Sequence, residues 1–358
     1  MTQKSSSITI RDIARHAGVS IATVSRYINH SGPVSPEVGE RVSQLMLELD
    51  YTPHAIARQL ATRHTLAVGL ILTNVVNDFF APLLNGIEAV TSENGYNLLV
   101  AISTPAMRNR KAPSPLGPHN TDGTLVFSNS LSEEQLVKLI KSEFPVVLIH
   151  RTSPINLKIP FVTVENKEAT RKIIDHLIEN HGRRRILFMQ GPQNQEDSDL
   201  RESGYRVSLA AHGFPIDESL ILRGEFEHAV AYKILRERLS KGDAKFDAVF
   251  AGDDDAAVGV LVALKEAGIR VPEDVSVAGF DDSRLSPLLN PPLSTVRAPT
   301  EEVGRAAAQK LFNLIQGWPI QPETLLPTEI ILRRSCGCVH ASSSLLNLPG
   351  PHEQEALT

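Results

Sequence analysis

The sequence predicts an α/β protein with a small all-α head. Two observations predict this class. Helix caps and helical apolar spacing fill the first 65 residues, whereas beyond them short apolar runs of strand type alternate with amphipathic stretches. The length of 358 residues allows about two or three domains, and 42% apolar residues suffice for a sizeable core.

The composition also indicates the cellular compartment. No apolar run approaches the ~20 residues of a membrane span, and the start, MTQKSSSITIRD, has no apolar signal core. The two cysteines, Cys336 and Cys338, are too few and too close in sequence for a disulfide framework. We therefore expect a cytoplasmic protein with no membrane partner.

A first helix is predicted to begin after Thr9. The Thr9 side chain can cap the amide three residues on, and the Asp12 side chain can accept from the Thr9 amide in return, as in a capping box. Gly18 can adopt a positive φ and end the helix. The apolar residues recur at helical spacing and so share one face: Ile10, Ile13, Ala14 and Ala17.

Ser20 can cap a second helix, IATVSRYIN, in which Val24 and Ile28 point inward. Two helices joined by a short turn that contains glycine form the helix-turn-helix pattern, whose second helix enters the major groove of DNA. The spacing alone leaves open a helical hairpin with no DNA role. The outer face of the second helix is short and polar and carries one arginine: Ile21, Ala22, Ser25, Arg26 and Asn29.

A third helix is predicted from Ser35 and Pro36, a cap followed by a proline at the first helical position. Its apolar residues again lie at helical spacing: Val38, Val42, Leu45 and Leu49. Three such helices make a compact module.

The charge differs between the head and the rest of the chain. Residues 1–65 carry seven Lys or Arg and five acids, a net charge of +2. The other 293 residues therefore carry −7, since the whole chain carries −5. A basic head on an acidic body suggests that only the head meets a polyanion.

The head resembles that of the LacI/GalR family of bacterial repressors in TIRDIARHAGVSIATVSRYIN, VSPEVGERV and LDYTPHAIARQLAT, over residues 8–62 without a gap. The resemblance implies a homodimer that binds pseudo-palindromic double-stranded operator DNA. HAIARQLA resembles the family's hinge helix, which folds on the operator, and Leu60 occupies the position of the leucine that wedges into the minor groove. The DNA-binding residues implied are Thr9, Ser20, Ile21, Ala22, Thr23, Ser25, Arg26, Asn29, His54, Ala57 and Leu60.

From residue 66 the pattern predicts βα repeats, and therefore parallel sheets with crossover helices. Two series of such repeats indicate two Rossmann-like lobes, with the cleft between them as the candidate ligand site. The predicted strands are 66–72, 97–102, 123–127 and 145–149, then 185–189, 247–252 and 274–280. The predicted helices are 82–94 and 132–143, then 167–181, 201–212, 228–240 and 255–267.

The body resembles the LacI/GalR effector domain, itself similar to periplasmic sugar-binding proteins, in NDFFAPLLNGIE, VTVEN, GYRVSLAAHGF, GIRVPEDVSVAGFDD and PPLSTVRAP. The resemblance covers nearly all of residues 66–336. It departs between Ser103 and Gly123, where the family has a helix but Pro113, Pro115 and Pro118 disfavour one. The implied domains are the head 1–53, a hinge helix and linker 54–65, a two-lobed effector-binding and dimerisation domain 66–338, and a disordered tail 339–358.

The residues that match the family's ligand contacts come from both lobes. Carboxylates and an arginine hydrogen-bond sugar hydroxyls while aromatic faces cover the ring, so the set suits a carbohydrate effector. Asp253 departs from the asparagine common in the family; Asp253 or Asp254 could simply cap the next helix, and Phe226 could be core. The set is Phe79, Phe80, Glu165, Gln195, Asp197, Arg201, Phe226, Asp253 and Asp281.

Other chemistry is not favoured. The acidic run 253–255 has no partner motif for a metal, and the cysteines at 336 and 338 lack a nearby histidine at zinc-site spacing, so we expect free thiols and no metal. His150, His176 and His181 accompany no nucleophile or phosphate-loop motif, so neither an enzyme nor a cofactor is expected. The sequence thus predicts a DNA-binding repressor of sugar uptake or breakdown. A purine, nucleoside or protein effector, or a solute-binding protein that no longer reads DNA, remains open.

Overall fold

The computed structural model describes residues 8–29, 32–51, 64–76, 78–103, 114–243 and 245–338. The predicted hinge residues His54, Ala57 and Leu60 and the predicted tail 339–358 lie outside the described residues.

The head contains three helices, α1 (Ile10–Ala17), α2 (Ile21–Asn29) and α3 (Pro36–Glu48). The predicted caps are present: the Asp12 carboxylate accepts from the Thr9 amide at 3.0 Å, Ser20 Oγ accepts from the Thr23 amide at 3.1 Å, and Gly18 has φ 67°. The helices enclose a small core made of Ile13, Ala14, Ala17, Val24 and Val42. The predicted three-helix module is therefore confirmed.

The first lobe is built on a six-stranded parallel sheet with strand order β11-β5-β4-β3-β1-β2. Strands β1, β3, β4 and β5 are buried along their whole length, as their continuous apolar runs require. Its elements are β1 (Ala67–Leu72), α4 (Phe80–Glu93), β2 (Asn97–Ile102), β3 (Gly123–Phe127), α5 (Glu133–Lys141), β4 (Val146–Ile149), β5 (Phe161–Val164), α10 (Thr300–Ile315) and β11 (Glu323–Leu326).

The second lobe is built on a four-stranded parallel sheet with strand order β7-β6-β8-β9. Helices cover it on both faces, as in a doubly wound fold. Its elements are α6 (Asn166–His181), β6 (Ile186–Gln190), α7 (Glu196–Ala211), β7 (Ile221–Arg223), α8 (His228–Ser240), β8 (Ala248–Ala251), α9 (Asp254–Glu266) and β9 (Ser276–Ala278). Short 3₁₀ turns lie at 218–220, 286–288 and 334–336.

The chain crosses between the lobes three times. It passes from β5 into α6, returns through β10 (Thr295–Arg297) to α10, and leaves β11 for β12 (Glu329–Ile331). Strands β10 and β12 pair antiparallel, so two of the connections are bonded to each other. The lobes can therefore change their relative orientation only by bending these connections together.

Helix pairs in both lobes cross at glycines. A Cβ atom on Gly86 in α4 would lie 2.0 Å from the Glu301 carbonyl oxygen in α10, and one on Gly259 in α9 would lie 2.1 Å from the His228 carbonyl oxygen in α8. In each pair the two helix backbones lie closer together than a residue with a Cβ atom at the glycine position would allow. The glycines therefore fix the spacing of the helix layers.

The predicted fold class is confirmed, with two differences in detail. Helix α7 begins at Glu196 rather than at residue 201, and α10 with the short strands β5, β7 and β10–β12 were not predicted. In the proline-containing segment, 104–113 lies outside the described residues, and 114–122 forms turns without a helix. Within the described residues, no helix is long and apolar enough to cross a membrane.

Candidate functional site

The carboxyl ends of the strands in the two sheets face each other across a cleft. A cavity of about 330 Å³ lies there, and a second of about 460 Å³ adjoins it and shares Phe79, Asp253 and Asp281. This is where open α/β folds bind ligands. Eight of the nine predicted effector residues line the first cavity: Phe79, Phe80, Gln195, Asp197, Arg201, Phe226, Asp253 and Asp281.

Arg201 is a buried cation in the wall of the cavity, with 3% of its surface exposed. Its Nε donates to Asn166 Oδ1 at 2.8 Å, and Nη1 donates to the Gly252 carbonyl oxygen at 2.5 Å. The guanidinium carbon lies 3.6 Å from the centre of the Phe280 ring, a cation–π contact. These contacts hold Arg201 in one position, so it presents a fixed charge to whatever enters the cavity.

Asp281 lies opposite this arginine, with its Oδ1 3.6 Å from Arg201 Nη2. That oxygen is buried and accepts no hydrogen bond from the described residues. Burial, reinforced by the nearby Asp253 and Asp254, raises the pKa of the Asp281 carboxyl well above its usual range despite Arg201. An unsatisfied buried acceptor is costly, so a hydroxyl or amine donor on a ligand would relieve it.

Asp253 both caps a helix and lines the cavity. Its Oδ1 accepts from the Ala256 amide at 2.8 Å at the start of α9, as the cap interpretation predicts. Burial raises the pKa of its carboxyl to about 7, and the neighbouring Asp254 and Asp255 add to the effect.

The other two aspartates of the acidic run make contacts within the protein. Asp254 accepts from the Ser283 amide at 2.8 Å and from Thr295 Oγ1 at 2.6 Å, and burial raises the pKa of its carboxyl to about 6. Asp255 accepts from the His228 amide at 2.8 Å. Asp254 therefore anchors the segment that crosses between the lobes, and Asp255 fixes the start of α8.

Asp197 joins the two lobes. Its Oδ2 lies 2.9 Å from Nδ1 of the buried His150 in the first lobe, and its Oδ1 accepts from Asn166 Nδ2 at 2.7 Å. Burial acts to raise the pKa of Asp197, but His150, Arg201 and Asn166 outweigh it, so the pKa is lowered and the carboxylate stays ionised. A further bond from the Thr152 amide to Glu196 Oε2, 2.8 Å long, also bridges the lobes.

Aromatic rings form the apolar part of the cavity. Phe79, Phe80 and Phe127 contact one another edge to face or tilted, with ring centres 5.2–5.8 Å apart. Phe226 is half-buried, and its ring lies so close to Gly191 that a Cβ atom there would be 2.2 Å from it. Phe226 is thus a wall of the cavity rather than a core residue.

The head presents the predicted DNA-contacting face to solvent. Ile21 is 46% exposed, Ala22, Arg26 and Thr9 are exposed, and Thr23 and Ser25 are half-buried. Ser20 caps α2 and its hydroxyl lies 2.9 Å from that of Thr23. Asn29 belongs to α2, but its side chain lies outside the described part of the chain.

Two family models match the chain. Residues 9–54 match "Bacterial regulatory proteins, lacI family", and residues 174–336 match "Periplasmic binding protein-like domain". Among curated relatives, catabolite control protein A of Priestia megaterium is 31% identical over 331 residues, which is 92% of this chain and 99% of the relative. The chain belongs to the LacI family.

Other LacI-family members extend the comparison. The transcriptional regulator CelR of Thermobifida fusca is 33% identical and covers 91% of this chain and 98% of its own. A solved CelR–cellobiose complex has a TM-score of 0.67 at 32% identity, over 92% of this chain and 99% of that one. The lac repressor dimer bound to operator and an anti-inducer, 24% identical with a TM-score of 0.79 and the same coverage, shows the shared fold. The predicted family and the prediction that this is a regulator rather than an enzyme are confirmed.

In this LacI-family chain, Glu165 differs from the other predicted effector residues because it is not among those lining the cavity. It immediately precedes α6, and its amide donates to the Leu326 carbonyl oxygen at 3.1 Å, which joins two connections between the lobes. The next residue, Asn166, contacts Asp197 and Arg201 instead. Sequence reasoning missed His150, which directly follows β4, and Asn166, which begins α6 one residue after Glu165.

The fold adds one feature to the region of the two cysteines, where the sequence predicts free thiols and no metal. The fold places His176 and His181 of α6 beside Cys336 and Cys338. Local spacing could not reveal this cluster because its two halves are about 155 residues apart in the chain.

Proposed function

We propose that this LacI-family regulator is a cytoplasmic homodimer that represses genes for the uptake or breakdown of a sugar, and that a carbohydrate bound in the cleft controls its affinity for a pseudo-palindromic operator. The assignment divides the chain into the operator-reading head 1–53, the hinge 54–65, the effector-binding and dimerisation body 66–338 and the tail 339–358. No cofactor takes part.

The observation that carries the effector class is the unsatisfied Asp281 Oδ1 beside the fixed Arg201. Together they offer a hydrogen-bond acceptor and a donor a few ångströms apart, which a pair of adjacent sugar hydroxyls can engage at once. Phe79 and Phe226 supply apolar faces against which the C–H side of a sugar ring packs. CelR, a relative that covers nearly the whole chain, has been solved with cellobiose.

The position of the cleft between the lobes also explains how ligand binding can change DNA binding. Because residues of both lobes line the cavity, a ligand favours the arrangement in which all of them reach it. The contacts between His150 and Asp197 and between Thr152 and Glu196 already join the lobes on one side of the cleft. A change in lobe orientation would move the two hinges of the dimer relative to each other, and by linkage operator and ligand affect each other's affinity equally.

A thermal-shift screen of monosaccharides, disaccharides and nucleosides tests the effector class. A ligand at 100 times its dissociation constant stabilises the protein by about 2.7 kcal/mol. We expect a sugar to raise the melting temperature of the wild type and to have no effect on Asp281→Ala, which removes the acceptor. If only nucleosides stabilise the protein, the effector is a purine-type compound and not a sugar.

Gel-shift titration on the neighbouring promoter, with and without the stabilising compound, tests the DNA-binding role. We expect the compound to change operator affinity. A protein that binds the sugar but does not bind the promoter would be a solute-binding protein instead.

A further inference from the structure

Four potential metal ligands converge at the end of α6, away from the cleft. They are His176 and His181 of that helix and Cys336 and Cys338 of the last described segment, and their ligand atoms all lie within 4.8 Å of one another. Cys336 is buried, and the other three side chains are half-buried, so the cluster can be reached from solvent. Neither cysteine forms a disulfide.

Four of the six distances among these atoms are close to the edges of a tetrahedral zinc site. Zn–N bonds of about 2.0–2.1 Å and Zn–S bonds of about 2.3 Å give N–N edges of about 3.4 Å and N–S edges of about 3.6 Å. The two Nε2 atoms are 3.1 Å apart. His176 Nε2 lies 3.6 Å from Cys336 Sγ and 3.5 Å from Cys338 Sγ, and His181 Nε2 lies 3.5 Å from Cys338 Sγ.

Hydrogen bonding among the four side chains does not account for this convergence. His176 Nε2 has three neighbours at 3.1–3.6 Å, whereas an imidazole nitrogen carries either one proton or one lone pair. The two rings meet at 76° with their centres 4.9 Å apart, so the nitrogens rather than the ring faces approach each other. A shared cation satisfies all four ligand atoms simultaneously.

The surrounding residues hold the ligands in place. A Cβ atom on Gly337, which has φ 114°, would lie 2.9 Å from His181 Nδ1, so only glycine lets the CGC segment pass this close to the ring. The Cys336 carbonyl oxygen accepts from Ser276 Oγ at 2.8 Å, and Ser276 Oγ accepts from Arg183 Nε at 2.9 Å. Such outer contacts are typical of metal centres.

We propose that His176, His181, Cys336 and Cys338 bind a structural Zn²⁺ ion. Two thiolates and two neutral imidazoles make the occupied site electrically neutral, which suits its half-buried position. The ion fastens residues 336–338 to α6 and thereby fixes the end of the described chain against the second lobe. Binding releases the proton of the Cys336 thiol, which contacts the Arg333 carbonyl oxygen at 3.3 Å, to solvent and leaves a thiolate ligand.

Zinc content is the direct test. Full-length protein with any affinity tag removed is purified under reducing conditions, loaded with zinc, dialysed and analysed by atomic emission. We expect equimolar zinc in the wild type and in His212→Asn, a control that removes a half-exposed histidine at the end of α7. Cys338→Ser should lose most of the metal. Equal zinc in the wild type and Cys338→Ser would overturn the proposal.

Two measurements on the wild type keep the test independent of variant folding. Co²⁺ substitution should give the intense visible bands of a tetrahedral ion and a thiolate-to-cobalt charge-transfer band. A zinc chelator should lower the melting temperature of the wild type and of His212→Asn but not that of Cys338→Ser. A cobalt complex without thiolate charge transfer, or a melting temperature that the chelator does not change, would refute the site.

Discussion

Replacing Asp253 by asparagine is expected to stabilise the effector-free protein, increasingly so as the pH rises. Burial raises the pKa of this carboxyl to about 7, against 3.8 for an unperturbed aspartate. Because the folded state holds the proton more tightly, the stabilising contribution is complete below pH 3.8 and is lost as the pH rises through about 7. Asparagine is neutral throughout, and its Oδ1 can keep the bond from the Ala256 amide.

The magnitude follows from the shift of about three pKa units, each worth about 1.4 kcal/mol. Relative to a neutral side chain, the aspartate therefore costs the folded state on the order of 4 kcal/mol at pH 8 and on the order of 2 kcal/mol at pH 5. We expect urea denaturation to show Asp253→Asn gaining about 2 kcal/mol more at pH 8 than at pH 5.

Asp255→Asn is the matched control, because it makes the same change in charge two residues away. The Asp255 side chain is 30% exposed and accepts from the His228 amide, and its charge acts on Asp253 only as a minor repulsion beside burial, so its removal should give a much smaller gain at high pH. If Asp253→Asn destabilises the protein, or if its gain does not change with pH, then burial of the ionised Asp253 carboxylate does not destabilise the folded state and the reasoning is refuted.

Three further predictions concern the operator, the effector and the core. Arg26→Ala should cost about 1–3 kcal/mol on the preferred operator and relax selection at one base pair in each half-site; an unchanged preference in a selection experiment would contradict this. Asp281→Ala should leave operator binding without effector near normal but abolish the effector's influence, and a response at wild-type effector concentrations would show that Asp281 is no ligand contact. Gly86→Ala should lower the free energy of unfolding by about 1–3 kcal/mol, since its Cβ would meet the Glu301 carbonyl oxygen; an unchanged denaturation midpoint would show that α4 and α10 separate freely.

Sequence reasoning succeeded where the determinants of structure are local. The caps at Thr9, Ser20 and Ser35 place the starts of the head helices correctly, because each cap acts within three residues of the chain. Buried parallel strands such as β1 and β3 were recognised because both of their faces are apolar.

It failed where distant segments complete an element or a site. The start of α7 was placed too late because the buried Asp197 interrupts the apolar period in its first turn. The resemblance supplied eight residues of the cavity wall but not His150, which contacts Asp197 from the other lobe. The cluster of His176, His181 and the two cysteines likewise exists only after the end of the described chain has packed against α6.

The pairing of β11 with β5 has a consequence for synthesis on the ribosome. The first lobe needs residues 300–326 to finish its sheet, although its other strands lie before residue 165. Until those residues emerge, β5 is an open edge strand, which is prone to pairing with other chains. The sheet of the second lobe comes from the continuous stretch 186–278, so it can form first even though it is translated second. The nascent protein is therefore most exposed to aggregation while the second lobe is being made.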